Sequence, residues 1–548
     1  MSIPSPRAAR KKSAPSESAP IVIPPYVYYV MIGIVILSFA MIRLRLRDMP
    51  LERDEGEYAY AGQLILQGIP PYQIAYNLKL PGTYAAYAVI LGVFGQTPAG
   101  IHVGLLLVNA ATTFLIFLLA ARLFGSLAGV VAGTSYAVLT TSRAVLGFAG
   151  HATNFVVLPA VAGLLLLLSA IESKRLRMYL LSGVLTGLAF VMKQPGILFV
   201  FFSGLYILKS ESKPPIDYQG LGKRLGSFAL GAALPFALTC LWMLAAGVFH
   251  KFWFWTFSYA SQYATRLSFS QGIQVFEANI PGILAHSWPL WILAGIGLSA
   301  LWWNRKARVH AVFSSWFLLF SILAVSLGFY FRQHYFILML PALSLLIGVA
   351  VSAAKDAFGK NAFLRAVPAL LFLAACVYSV ADESDYLFEM GPIEATRRTY
   401  GINPFPEAIK IADFIKRQSP DGTKIAVIGS EPEIYFYSHR HSATGYIYTY
   451  PLMEEQKYAS TMQKEMISEI EAARPEYLVL VDVPFSWLMQ AHSDTEIFAW
   501  TEKYLDSNYE RVGIADIGDT TEYRWGDEVK GYHPRSKWTV SVFKRKTP

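Results

Sequence analysis

Charge is what this 548-residue chain has least of: 16% of its residues are Asp, Glu, Lys or Arg, while 54% are hydrophobic. A soluble globular chain carries about 25% charged residues, so most of this polypeptide belongs in a bilayer. Cysteine is almost missing too. Cys240 and Cys376 both lie in apolar runs, which excludes a disulfide framework for the polar C-terminal region. There is no glycine-rich phosphate loop between a strand and a helix, and no HExxH zinc motif. His439 and His441, two apart with no cysteine partner, do not make a metal site. The net charge of +9 is no nucleic-acid signature, because the Lys and Arg fall in short clusters between apolar spans. No internal repeat is evident.

Spans of about 20 apolar residues, or somewhat fewer for paired helices, can be placed from the pattern. Eleven are expected, over 26–42, 99–120, 126–141, 155–171, 179–193, 195–208, 226–247, 286–303, 309–329, 334–353 and 366–381. The basic tail over 1–25, with Arg7, Arg10, Lys11 and Lys12, resembles a signal-peptide head, but no small-residue cleavage site follows it. The cation bias between loops favours a cytoplasmic N-terminus. The outer loops still hold many cations, among them Arg43, Arg45, Lys79, Lys193, Arg266 and Arg332, which suggests an anionic ligand.

Residues 43–98 are too long and mixed for a plain turn. They read as an outer loop with helices lying on the membrane, from about Glu55 to Gln67 and from about Pro81 to Phe94. A second outer loop, 248–285, opens on the aromatic belt Phe252-Trp253-Phe254-Trp255. After Ala381 the composition turns polar. Helix patterns at 407–418 and 462–473 and strand patterns at 425–428, 477–481 and 538–543, the last like an exposed strand, define an α/β domain over 390–548.

Asp54-Glu55-Gly56-Glu57-Tyr58 is the most informative segment. Three carboxylates stand within four residues, just past a membrane exit, where charge is costly. One reading is helix capping, with Asp54 at the N-cap and Glu57 completing a capping box. The other is a general base for a hydroxyl, made more basic by partial desolvation. Lys79, before Leu80-Pro81-Gly82, is either a snorkelling lysine or a phosphate clamp that neutralises a leaving group. Lys193, Arg266, Arg332 and His334-Tyr335 are the remaining outer-face cations and donors. His151 and Asn154 precede a span, Asn154 as a helix cap on the plain reading. The absence of Asp-x-Asp argues for a lipid-linked rather than a nucleotide-linked donor.

In this order the residues resemble the GT-C class of membrane glycosyltransferases, in the protein-mannosyltransferase-like branch with the aminoarabinose and lipopolysaccharide galacturonosyltransferases. Asp54-Glu55 with Tyr58 is similar to the acidic motif of that family's first outer loop. Lys79-Leu80-Pro81 stands where the family has Lys-Pro-Pro. Lys193-Gln194-Pro195-Gly196 resembles its Lys-Gly/Gln-Pro hairpin, and His334-Tyr335 with Leu340-Pro341-Ala342 resembles its late Tyr and Pro span. The resemblance covers about 26–381. It implies a GT-C fold, a polytopic helical membrane domain with a long first outer loop, followed by the extracytoplasmic α/β domain. It implies transfer, with inversion, from a polyprenyl-phosphate-sugar donor to a lipid, glycan or protein acceptor at a bacterial inner membrane, with the N-terminus cytoplasmic and the C-terminal domain periplasmic. Asp54, with Glu55, is then catalytic. Lys79, Lys193, Arg266, Arg332, His334 and Tyr335 then hold donor phosphate, and Tyr58, His151 and Asn154 belong to the acceptor side or the second loop. Many relatives carry a second acidic residue near Thr153 or Asn154. Here none stands there, so no cofactor is required, although a divalent metal is compatible with the pattern. Two alternatives are a transporter or flippase for an anionic or lipid-linked substrate, and a non-catalytic envelope assembly protein. A transporter would place its polar residues near the bilayer midplane.

Overall fold

The computed structural model describes residues 24–546 apart from positions 213 and 360, so the expected basic tail lies outside the described residues but for Pro24 and Pro25. Each expected span coincides with a helix: Pro25–Arg45, Pro98–Phe124, Ser126–Thr140, Ala152–Ser173, Leu176–Met192, Ile197–Glu211, Tyr218–Ala245, Trp288–Trp303, Ala311–Ser326, Leu340–Ala357 and Ala362–Ala381. Among the described residues seven helices are long and apolar enough to cross a membrane; there are eight if Phe269–Ala285 and Trp288–Trp303, bent by 104° at their junction, form one broken span. Leu340–Ala357 is buried along nearly its whole length, whereas Pro25–Arg45 leaves Leu37 and Met41 exposed at the periphery. With no hydrophobic force between helices in lipid, close backbone approach does the packing. At Gly231 a Cβ would come within 2.0 Å of the Leu180 carbonyl oxygen on the neighbouring helix.

The outer-loop cations Arg43 and Arg45 have neutral partners. Arg43 donates to the carbonyls of Thr140 and Gly147, and Arg45 to those of Tyr386, Leu387 and Met390. They tie the first span to the chain segments around it and do not await an anion.

The first outer loop carries the helices Arg53–Leu66 and Gly82–Phe94. Beyond the last span the chain forms a six-stranded sheet: β1 (Lys424–Ile428), β2 (His441–Ser442), β3 (Tyr477–Asp482), β4 (Tyr509–Asp516), β5 (Glu522–Trp525) and β6 (Thr539–Arg545), in the order β2-β1-β3-β6-β4-β5. Strands β2, β1 and β3 run parallel, and β6, β4 and β5 pair antiparallel. The strand expected to be exposed at 538–543 is interior instead. β6 lies between β3 and β4, and Val540, Ser541 and Val542 are all buried. Its alternation records two covered faces of unequal polarity. One hydrophobic core joins Tyr58, Tyr84 and Tyr87 of the juxtamembrane helices to Ile425, Val427 and Val479 of the sheet. The polar domain is therefore packed onto the first outer loop.

Candidate active site

The cap lies two residues before the expected one. Glu52 is the N-cap of Arg53–Leu66; its side chain accepts from the Glu55 amide at 2.9 Å, and Glu55 Oε2 accepts from the Glu52 amide at 3.4 Å. With Asp54 inside the first turn, its carboxylate is not used as the cap and faces a cavity of about 490 Å³. Successive helical residues point about 100° apart, so Glu55 faces elsewhere. Its Oε1 accepts from the Gly150 amide at 2.6 Å and lies 3.2 Å from His102 Nε2. Glu55, expected beside Asp54 in the chemistry, instead holds the turn that presents His151.

The cavity brings together Asp54, Lys79, His151, Lys193, Arg266, Arg332, His334 and Tyr335. Three expected residues do not line it. Tyr58 lies beneath the Lys79 ammonium, its ring centroid 4.6 Å away. Asn154 is buried in the helix starting at Ala152, whose N-cap is His151 and not Asn154. Glu55 is the third.

Two of the cations are already neutralised. Lys79 Nζ donates to Asp54 Oδ1 at 2.8 Å and to Glu57 Oε2 at 2.6 Å. Arg266 pairs with Glu454 at 3.3 Å, and the Tyr259 hydroxyl donates to the same carboxylate at 2.6 Å. Lys193 and Arg332 have no carboxylate within ion-pair distance among the described residues. Lys193 instead lies 4.1 Å from the Tyr335 ring centroid, and Arg332 5.7 Å from that of Tyr330. Burial pushes Lys193 down to about 7, against the opposing pull of Asp54. For Asp54 the balance reverses the expected direction. Burial alone would raise it, but the Lys79 ammonium and the neighbouring His151 ring outweigh burial and hold it well below the usual carboxylate range.

The rings of His151 and His334 stack 4.0 Å apart. His151 Nδ1 is 3.5 Å from Asp54 Oδ2, too far for a well-formed hydrogen bond, and both ring nitrogens of buried His151 lack hydrogen-bond partners among the described residues. Asp54, His151 and His334 each offer a ligand atom within 4.8 Å of the others, an arrangement able to hold a metal ion. Burial, with His151 beside it, keeps His334 well below its usual range, so its ring is neutral and free to coordinate. His151, in the second loop, also has Glu52 Oε1 at 3.6 Å, and Glu52 lines the cavity as well.

Sequence reasoning identified no site residue in the C-terminal domain. Tyr448, Tyr450, Pro451, Glu454, Leu488 and Gln490 all line the cavity. The tyrosine alternation Tyr446-Tyr448-Tyr450 was the only trace of this in the sequence.

The architecture defines a class of fold: the chain has the GT-C fold of its solved structural neighbours. More narrowly, residues 79–236 match the family model described as dolichyl-phosphate-mannose-protein mannosyltransferase. ArnT from Cupriavidus metallidurans bound to undecaprenyl phosphate superimposes with a TM-score of 0.58 at 16% identity, over 94% of this chain and 98% of that one. The oligosaccharyltransferase AglB from Archaeoglobus fulgidus, in complex with an inhibitory peptide and a dolichol-phosphate, gives 0.53 at 13% identity, over 92% and 74%. The Archaeoglobus fulgidus oligosaccharyltransferase in complex with Zn and sulfate gives 0.53 at 14%, over 93% and 75%. No curated protein sequence matches the chain.

Proposed function

We propose that this protein moves a sugar from a polyprenyl-phosphate carrier to an acceptor hydroxyl on the outer face of a bacterial inner membrane, with inversion. The observation that carries the reading is the division of charge in the cavity. An ionised Asp54 stands near two cations, Lys193 and Arg332, that no carboxylate among the described residues neutralises. The acceptor hydroxyl gives its proton to Asp54 as its oxygen bonds to the anomeric carbon. The bond from that carbon to the phosphate oxygen breaks on the opposite side, and its electron pair leaves with the phosphate. Lys193 and Arg332 neutralise that growing charge, the work oriented cations do best in a site shielded from water. Lys79, engaged by Asp54 and Glu57, orients the base and joins the phosphate as the donor enters.

The carrier tail has a route as well. An apolar groove of about 390 Å³ is lined by Phe269, Ile273, Phe276, Phe329 and Phe331. Along 329–332 the side chains alternate: Phe329 and Phe331 line the groove, Tyr330 and Arg332 the cavity. A phosphate on Arg332 therefore leaves its isoprenoid chain at the groove.

The unpartnered nitrogens of His151 favour a second component, a divalent cation held by Asp54, His151 and His334. When bound it would supply positive charge beside the acceptor oxygen. Elemental analysis of the purified chain is expected to find one such ion per molecule, lost in His151→Ala; none in either protein removes this component.

Mass spectrometry of envelope glycolipids and glycoproteins, with and without the protein, tests the main reading. One sugar is expected to disappear from one acceptor, with the same loss in Asp54→Asn at normal expression. A full complement of sugars in Asp54→Asn overturns the reading and leaves the transporter or assembly alternatives.

A further inference from the structure

The carboxylate of Asp54 has two oxygens with different surroundings. Oδ2 faces the histidine pair. Oδ1 accepts from Lys79, and the hydroxyl of Tyr448 donates to the same oxygen at 3.3 Å. Tyr448 comes from the far end of the chain, 394 residues from Asp54. The segment around it is fixed by its own domain. The Thr449 amide donates to Ser430 Oγ, the Thr449 hydroxyl donates to the Ser486 carbonyl, and Tyr450 donates to the Phe485 carbonyl. Next to the base, Arg53 donates to the Ser430 carbonyl, to Glu431 and to Tyr450. The ring of Tyr448 also lies 5.4 Å from the Lys79 ammonium. One rigid stretch of the C-terminal domain thus reaches both members of the Lys79–Asp54 pair.

We infer that Tyr448 is a positioning residue for the reaction, fixing Asp54 through Oδ1 so that Oδ2 is presented to the acceptor. This rests on the transferase reading above. The polar domain is then part of the base assembly. A carboxylate held at one oxygen by two donors cannot rotate freely, and small losses of alignment between base and hydroxyl are expensive in rate.

The test uses the full-length protein in nanodiscs, with the radiolabelled lipid-linked sugar pool of the producing cells as donor and their envelope fraction as acceptor. Tyr448→Phe keeps the ring and removes the hydroxyl. Expected is a fall in kcat of about 10- to 100-fold, with apparent KM for the donor pool and undecaprenyl phosphate binding within twofold of wild type and Tm unchanged. A kcat within twofold of wild type overturns the inference. Should Tyr448→Phe not fold, 3-fluorotyrosine incorporated at 448 serves: a changed kcat at constant KM supports a hydroxyl acting on Asp54, and an unchanged kcat overturns it. Asp54→Asn separates the two levels. If it still transfers sugar, Asp54 is not the base and the mechanism proposed above falls; if it is inactive while Tyr448→Phe is fully active, only this inference falls.

Discussion

At the scale of single residues, the site is a contest between burial and pairing. Lys193 shows what burial does when pairing is weak: its ammonium is brought down to about 7, close to neutrality. A lowered pKa means that the folded protein releases this proton as pH rises through about 7, so the cation is present below that value and lost above it. Binding of a phosphate to Lys193 therefore weakens toward alkaline pH. Undecaprenyl phosphate titrations in wild type and Lys193→Arg check this, because arginine stays charged throughout. The ratio of wild-type to variant Kd is expected to rise by up to about tenfold between pH 6 and pH 8, the loss that one pKa unit of deprotonation brings. A constant ratio would mean that Lys193 does not meet the phosphate. Lys79 lies at the other extreme. Two carboxylates grip it, so Lys79→Ala is expected to free Asp54 and Glu57 and lower both donor affinity and turnover, and Lys193→Ala to lower turnover as well, because its charge is met most strongly as the phosphate leaves.

At the scale of elements, the helix Arg53–Leu66 is pressed directly against the polar domain. A Cβ on Gly56 would lie 2.7 Å from both the backbone nitrogen and the Cβ of Glu433, atoms that cannot swing aside. Gly56→Ala is expected to cost about 1–3 kcal/mol, the usual range for overpacking, and to reduce transfer more than undecaprenyl phosphate binding; thermal unfolding and a paired binding assay measure both. The sequence announced the elements far better than their joints. Each span appeared because apolar runs of that length have few other uses. Asp54, Lys79, Lys193 and Arg332 were legible because charge beside a bilayer is costly unless used. The position of the cap was not, since Glu52 and Asp54 are equally plausible before a helix, and only the reciprocal bonds of Glu52 with Glu55 decide between them. Glu55 was misjudged for the same reason, as its partners Gly150 and His102 are remote in sequence. β4 and β5 were overlooked because their residues are mixed in polarity, and Tyr448 because a tyrosine in a polar domain says nothing about which carboxylate it will meet.

At the scale of the whole molecule, the shared hydrophobic core makes the juxtamembrane helices and the sheet one cooperative body. Hydrogen exchange is expected to report similar opening free energies for 58–64 and 425–428, and Arg53→Ala, which removes bonds to Ser430, Glu431 and Tyr450, to lower both together. Independent changes in the two segments would show two bodies in contact and not one. The same joint has a consequence for biogenesis. Leu51, Arg53 and Asp54 find their partners Tyr437, Tyr450 and Tyr448 between 386 and 397 residues later. A ribosome adds roughly 5–20 residues per second, so the early spans are inserted tens of seconds before those partners emerge. Throughout that interval the nascent chain presents an unfinished centre. Asp54 lacks its Tyr448 contact until the C-terminal domain has been made.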